Sequence, residues 1–262
     1  SGAIIRLGLC VILIRMVTSE QSTGAVGFLQ MLNMGSEQMR TLYWIMLLGA
    51  VAGLATSALT ISPNHLILPL LISLLAMAIG AFMDSSSSNL TRPAQMYFSQ
   101  FLLAFGSTFF LGPSMVLGIS HVRANPRNLV SFSVLFGICN NLGGLIGAAL
   151  LSTFQIWREK FHSSHLMDHL SAVEPLVSAR VQSGGAAYAH ILADPALRTE
   201  AGLRQLASAA TREANVMAYN DVFMLIGSIA ILTMVWICIR GTWLWYSKRQ
   251  ASLNDSTSGA TT

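Results

Sequence analysis

Residues 66–83 read LILPLLISLLAMAIGAFM, eighteen positions without a charged side chain. A bilayer core about 30 Å thick is crossed by about 20 mostly apolar residues in α-helix. The run therefore predicts a membrane-spanning helix, closed by Asp84 and the polar run 85–88. Outward from it the same pattern recurs at residues 42–62, ended by Pro63-Asn64, and at 97–119, 129–156 and 222–246. In the last of these, Trp236, Trp243, Trp245 and Tyr246 gather toward one end, as rings do in an interfacial belt.

The first segment reads differently. Residues 3–17 are too few to span alone, but continuing through residue 32 gives a helix of about 30 residues, roughly 45 Å long. The expectation is one long helix that crosses the bilayer, protrudes, and stops near Asn33-Met34-Gly35, with Ser36-Glu37 able to start the next. This makes six spans, an all-α membrane protein.

Composition agrees. Of the 262 residues, 53% are hydrophobic and 10% charged, with a mean hydropathy of +0.59. Soluble domains carry about 25% charged residues, so there is too little polar surface here to cover a soluble globule, and the lipid bilayer is the expected partner. The net charge of +4 is spread along the chain and leaves no nucleic-acid footprint. Cys10, Cys139 and Cys238 sit in apolar runs, and an odd, widely spaced set does not point to a disulfide framework or zinc site. The chain opens Ser1-Gly2 and enters a helix at once, without a signal-peptide pattern. The expectation is the C-terminal portion of a longer protein.

Basic residues orient the spans. Arg6, Arg123, Arg127, Arg240, Lys248 and Arg249 fall at one face, and Arg40 and Arg92 in the short loops of the other. The first face is then cytoplasmic, with both ends of the chain. The organisation expected is five spans over residues 1–154, an external helical loop over 155–220, the last span over 221–246, and a disordered Ser/Thr-rich cytoplasmic tail over 247–262. Within the loop a helix continues from Trp157, Ser183-Gly184-Gly185 reads as a break, and Asp194-Pro195 starts a further helix as N-cap and first helical residue.

The residues able to carry chemistry are few. Arg15 and Glu20 lie in the first segment, and ionisable groups in a span face a protein interior or a water-filled path. With residues 14–33 as the buried part, Arg15 is near the cytoplasmic interface and Glu20 about 8 Å deeper. Together with Gln21 they read as a cavity-lining patch in which Glu20 takes up and releases a proton, or as a buried patch that fixes packing. Asn140 and Asn141 diverge by about 100° on a helix, so one can line a cavity while the other bonds a neighbour. Gly112-Pro113 predicts a kink in the fourth span, suited to gating or to static packing. The pairs Gly49/Gly53 and Gly143/Gly147 let helices approach closely. His162, His165 and His169 with Asp168 form either the polar face of an external helix or, less in keeping with the absent general-base glutamate, a metal site. No metal, cofactor or enzymatic role is predicted, since no phosphate loop or nucleophile elbow is present.

Several stretches carry a family likeness. They are Phe105-Gly106 through Gly112-Pro113, the loop His121-Val122-Arg123-Ala124-Asn125-Pro126-Arg127, the Gly-rich fifth span running into Thr153–His162, and Ala218-Tyr219-Asn220-Asp221-Val222-Phe223. With the long loop before the last span, the chain resembles the drug:proton antiporters of the major facilitator superfamily, in particular the fourteen-helix EmrB/QacA-type branch. The resemblance implies the C-terminal six-helix bundle of a two-half transporter in a bacterial inner membrane. It further implies a missing N-terminal half, a small amphipathic substrate exchanged for protons, and a periplasmic adaptor as a partner. The family's charged cytoplasmic loop, Gly-Pro motif and membrane carboxylate belong to that other half and match no position here. Glu20 is a candidate from its own surroundings. A solute importer on the same fold, and a membrane anchor or receptor subunit, remain open.

Overall fold

The structure, a computed structural model, describes residues 2–60, 66–122, 126–168 and 175–258. Pro63-Asn64, Arg123 and His169, and the side chains of Arg6, Arg127, Trp243, Trp245, Tyr246, Lys248 and Arg249, lie outside the described residues. Among the described residues every regular element is helical. In order these are α1 (Gly2–Thr18), a π-helical segment (Glu20–Val26), α2 (Gly27–Met31), α3 (Arg40–Thr60) and α4 (Ile67–Asp84). A 3-10 turn (Pro93–Met96) leads into α5 (Tyr97–Val122), followed by α6 (Pro126–Asp168), α7 (Pro175–Ala186) and α8 (Pro195–Ser258).

Five helices are long and apolar enough to cross a membrane: Arg40–Thr60, Ile67–Asp84, Pro93–Ser120, Leu129–Asp168 and Pro195–Thr242. They carry many exposed aliphatic side chains, among them Leu54, Leu59, Leu68, Val130, Leu145 and Leu232, which water would not favour and lipid tails would cover. This is the pattern of a multi-pass, all-helical membrane protein. The first expected span is a single helical run in three pieces, of which the longest, α1, has 17 residues. The run stops as a Schellman motif. Asn33 takes φ 61°, the left-handed region where Asn is tolerated best after Gly. Its N–H bonds the Gln30 carbonyl at 2.9 Å, and that of Met34 bonds Leu29 at 3.0 Å. Turns occupy residues 36–39, so α3 starts at Arg40 and not at Ser36-Glu37.

Glycines set the closest helix contacts. A Cβ on Gly49 would lie 2.6 Å from the Phe101 carbonyl of α5, and one on Gly53 would meet Phe105 and Thr108. There the Thr108 hydroxyl donates to the Ala50 carbonyl at 2.9 Å. On the other side of the bundle, a Cβ on Gly143 would sit 2.9 Å from Ile12 Cα, and one on Gly147 2.7 Å from Met16 Cα. Both pairs therefore face helices of the same chain. Between these seams lies a core of α1, α4, α5 and α8 side chains, including Ile14, Leu74, Met77, Leu103 and Ile226. A second core gathers Phe28, Leu29, Leu42, Met96 and Phe223 around α2. Helix α5 continues through Gly112-Pro113, where the proline leaves the Phe109 carbonyl without its helical donor.

Two helices outrun any bilayer. The 43 residues of α6 span about 65 Å and the 64 of α8 about 96 Å. Beyond the apolar layer they stay together: Arg158 Nε and His162 Nε2 each approach Asp221 Oδ2 at 2.6 Å, and Gln155 bonds Asn215 at 2.8 Å. The Asp194 side chain accepts from the Ala196 N–H at 2.8 Å, as an N-cap does. Two expectations need correction. Ser183-Gly184-Gly185 is not a break but lies within α7, because a side chain at Gly185 would meet the Arg198 carbonyl at 2.5 Å and the glycine is what lets α7 cross α8. The helix expected from Pro195 toward the last span runs into it without a break. It also continues to Ser258, through most of the tail expected to lack structure.

If the α3–α5 seam closes this tightly, Gly53→Leu overpacks it. The variant is expected to lose about 1–3 kcal/mol, seen as a lower melting temperature in detergent. A melting curve identical to the wild type's would mean that the two helices do not meet at Gly53.

Candidate functional site

The polar stretch after α1 sets the site. Thr18 and Ser19 hydroxyls both donate to the Arg15 carbonyl, at 2.9 and 3.0 Å, and Ser22 donates to that of Ser19 at 3.2 Å. Side chains that occupy backbone carbonyls compete with the α-helical ladder. Directly after them the helix widens to π geometry over Glu20–Val26, a distortion that frequently marks functional sites. The Glu20 side chain points into the bundle and is fully buried. Gly24 leaves the space: a Cβ there would lie 3.0 Å from Phe223 and 3.1 Å from Glu20 itself.

Two more helices meet Glu20. Asp84 is the last residue of α4, and Ser99 and Gln100 lie in the first turn of α5. The connection between them is short and self-bonded. Ser87 N–H donates to Asp84 O at 3.2 Å, and Arg92 N–H to the Gln95 side chain at 2.9 Å. It is also clamped from α8, where Asn220 donates to Ser87 O at 2.8 Å and Glu213 accepts from Asn89. This geometry sets the Gln100 amide between two carboxyls. Its Nε2 lies 2.8 Å from Asp84 Oδ2, and 3.1 and 3.3 Å from the two Glu20 oxygens. The Ser99 hydroxyl donates to Asp84 Oδ1. Glu20, Ser99 and Gln100 are 0% exposed and Asp84 3%. Among the described residues no ion pair involves either carboxyl, and the Gln100 Oε1 has no partner.

The polar residues singled out in the sequence separate into two places. Gln21 joins the cluster, donating to the Gln100 backbone carbonyl at 3.2 Å. Arg15 does not: its Nε donates to the Asn140 carbonyl at 3.3 Å across the α1–α6 contact, beside Gly143 and Gly144. Ser19 crosses to Gly144 O at 3.1 Å on the same side. Asn140 is half-buried with an unpartnered Oδ1, and Asn141 is exposed on α6. Glu20 lies level with Asp84, at the end of the bundle where α6 and α8 protrude, and Arg15 lies about 8 Å further back along the helix. Gly112-Pro113 is about 18 Å along α5 from Gln100. His162 is engaged with Asp221 and Arg158, and among the described residues no cluster of His, Cys, Asp and Glu could hold a metal.

Asp84, Ser99 and Gln100 escaped the sequence reading. Asp84 follows a charge-free run and Gln100 opens one, so each looks like an ordinary residue at a membrane interface. The available signal was their proximity across a connection of only twelve residues, 85–96. No family model matches the chain, and neither a curated protein nor a solved structure matches it.

Replacing Gln100 with Leu removes the one side chain that bonds both carboxyls. The expected cost is about 1–3 kcal/mol for the donors lost inside the bundle, read as a reduced melting temperature. Unchanged stability would show that the carboxyls do not depend on this amide.

Proposed function

We propose that this chain is the C-terminal six-helix bundle of a major-facilitator-type secondary transporter that exports small amphipathic or toxic compounds in exchange for protons. The first helical run, its π segment included, would be the first of the six spans. The observation that carries the reading is Glu20: a carboxyl with no exposed surface, in a distorted helical run packed into the bundle, outside every ion pair among the described residues. Such groups are rare in spans and characteristic of proton and ion pathways.

In this reading a second bundle faces the first around a central cavity, and the two rock to alternate access. Glu20 binds a proton on one side and releases it on the other. Arg15 and Asn140, on the α1–α6 face, meet polar parts of the substrate, and Asn141 adds a hydrogen bond from the exposed face of α6. The bend allowed at Gly112-Pro113 accommodates the movement of α5. The cell membrane is a bacterial inner membrane with the C-terminus in the cytoplasm, which places the α6–α7–α8 layer in the periplasm. There Trp157, Phe161, Leu176 and Ile191 are 49–80% exposed. Apolar side chains standing outside the lipid suit a protein partner such as an adaptor. The same surface keeps a second reading open, a membrane anchor or receptor subunit with the outer layer as its working part.

Glu20→Gln separates these. In the transporter, drug export driven by a proton gradient falls to the level of cells lacking the protein, while the variant reaches the membrane in normal amount. Export at the wild-type rate in that variant would remove Glu20 as the coupling site.

A further inference from the structure

Two acidic side chains, buried against each other with one amide between them, leave a charge problem that the described residues do not solve. Burying an ionised carboxylate without a compensating charge is costly. Asp84 adds to the difficulty by ending α4, where the helix dipole places partial negative charge. The charged and titratable groups on the surrounding elements are engaged elsewhere. Arg15 is turned to α6, and Arg92 donates to the Thr91 carbonyl. On α8, Tyr219 packs against Gly27, Glu213 accepts from Asn89, and Asp221 is held by Arg158 and His162.

Gln100 supplies an independent indication. Its Oε1 is buried without a donor, on the same amide that lies between the carboxyls. A half-turn of that amide presents an acceptor oxygen to the carboxyls in place of a donor. Such a swap fits only if a positive species sits among them. The donor set is then two carboxyls, an amide oxygen and the Ser99 hydroxyl, all hard oxygen ligands.

We propose that Glu20, Asp84, Gln100 and Ser99 form a binding site for one small monovalent cation, a proton or Na⁺, with the Gln100 amide reorienting on occupancy. Divalent ions suit the site less well. Mg²⁺ sheds its waters reluctantly and Ca²⁺ takes six to eight oxygens, whereas among the described residues this sealed cluster gains no third acidic, His or Cys side chain. The cation's role in coupling rests on the transport reading, but its binding does not.

The test uses the full chain purified in detergent. Binding of radioactive ²²Na⁺ to the wild type is measured directly, and melting temperatures are compared in NaCl and choline chloride at equal ionic strength. With Na⁺ as occupant, about one ion binds per chain and the melting temperature rises by about 3 °C at tenfold saturation. Both effects vanish in Glu20→Gln and Asp84→Asn and survive in Glu200→Gln, a change on the exposed outer layer. With a proton as occupant, Na⁺ has no effect, and the infrared band of a protonated carboxyl is present in the wild type at neutral pH and absent from those two variants. A wild type that shows neither bound Na⁺ nor that band overturns the proposal, as does stabilisation by Ca²⁺ alone. Both wild-type measurements stand even if a variant fails to fold. Cation binding together with undiminished export by Glu20→Gln would sink the transport reading and leave the site intact.

Discussion

A single amide holds the upper part of this bundle together. Gln100 reaches one carboxyl on the first helical run and another at the end of α4, from its own place in the first turn of α5. Together with the Gln21 and Ser99 bonds beside it, this fixes the three helices in rotation and height relative to one another. Directional bonds do what greasy contacts cannot, since a Leu against a Leu tolerates sliding and a donor against an acceptor does not. The π segment follows from the same constraint. It adds the local widening that turns Glu20 inward, and Gly24 provides room for the carboxyl beside Phe223.

Below that level the bundle is organised by small residues. One seam joins α3 to α5 through Gly49 and Gly53, and another joins α1 to α6 through Gly143 and Gly147. Lipid offers helices no hydrophobic reason to associate, so close backbone approach and the dispersion it gains carry the association. The seams lie on opposite sides of the core formed by α4 and α8. Outside the apolar layer the logic changes to ion pairs and amides: Asp221 binds Arg158 and His162, and Asn215 binds Gln155.

Much of this was readable in the chain because a bilayer reduces the question to length and polarity. Run length placed α3, α4 and α5 within a few residues and marked the apolar stretches of α6 and α8, whose helices run on well beyond them, and the glycine spacing at 49/53 and 143/147 named positions where backbones meet. Glu20 stood out for the same reason, as a charge in an apolar segment. What stayed hidden was pairing in space. Asp84 and Gln100 look ordinary one at a time, and only the fold of residues 85–96 brings them together. The neighbour each side chain meets was equally invisible: five helical steps turn Glu20 about 140° from Arg15, but which helix stands on either side is decided by the fold. Ser183-Gly184-Gly185 misled for a related reason, since glycine serves both to end a helix and to let one helix cross another, and only the partner decides which.

Helix α8 runs without interruption from Pro195 to Ser258. It therefore behaves as a lever with its fulcrum where Gly227 rests on the ring of Phe82. A tilt of about 5° about that point moves a tip about 45 Å away by roughly 4 Å, at 1.5 Å per residue, and swings the other arm the opposite way. Whatever grips one arm is mechanically connected to the far side of the apolar layer, with no loop between to absorb the motion.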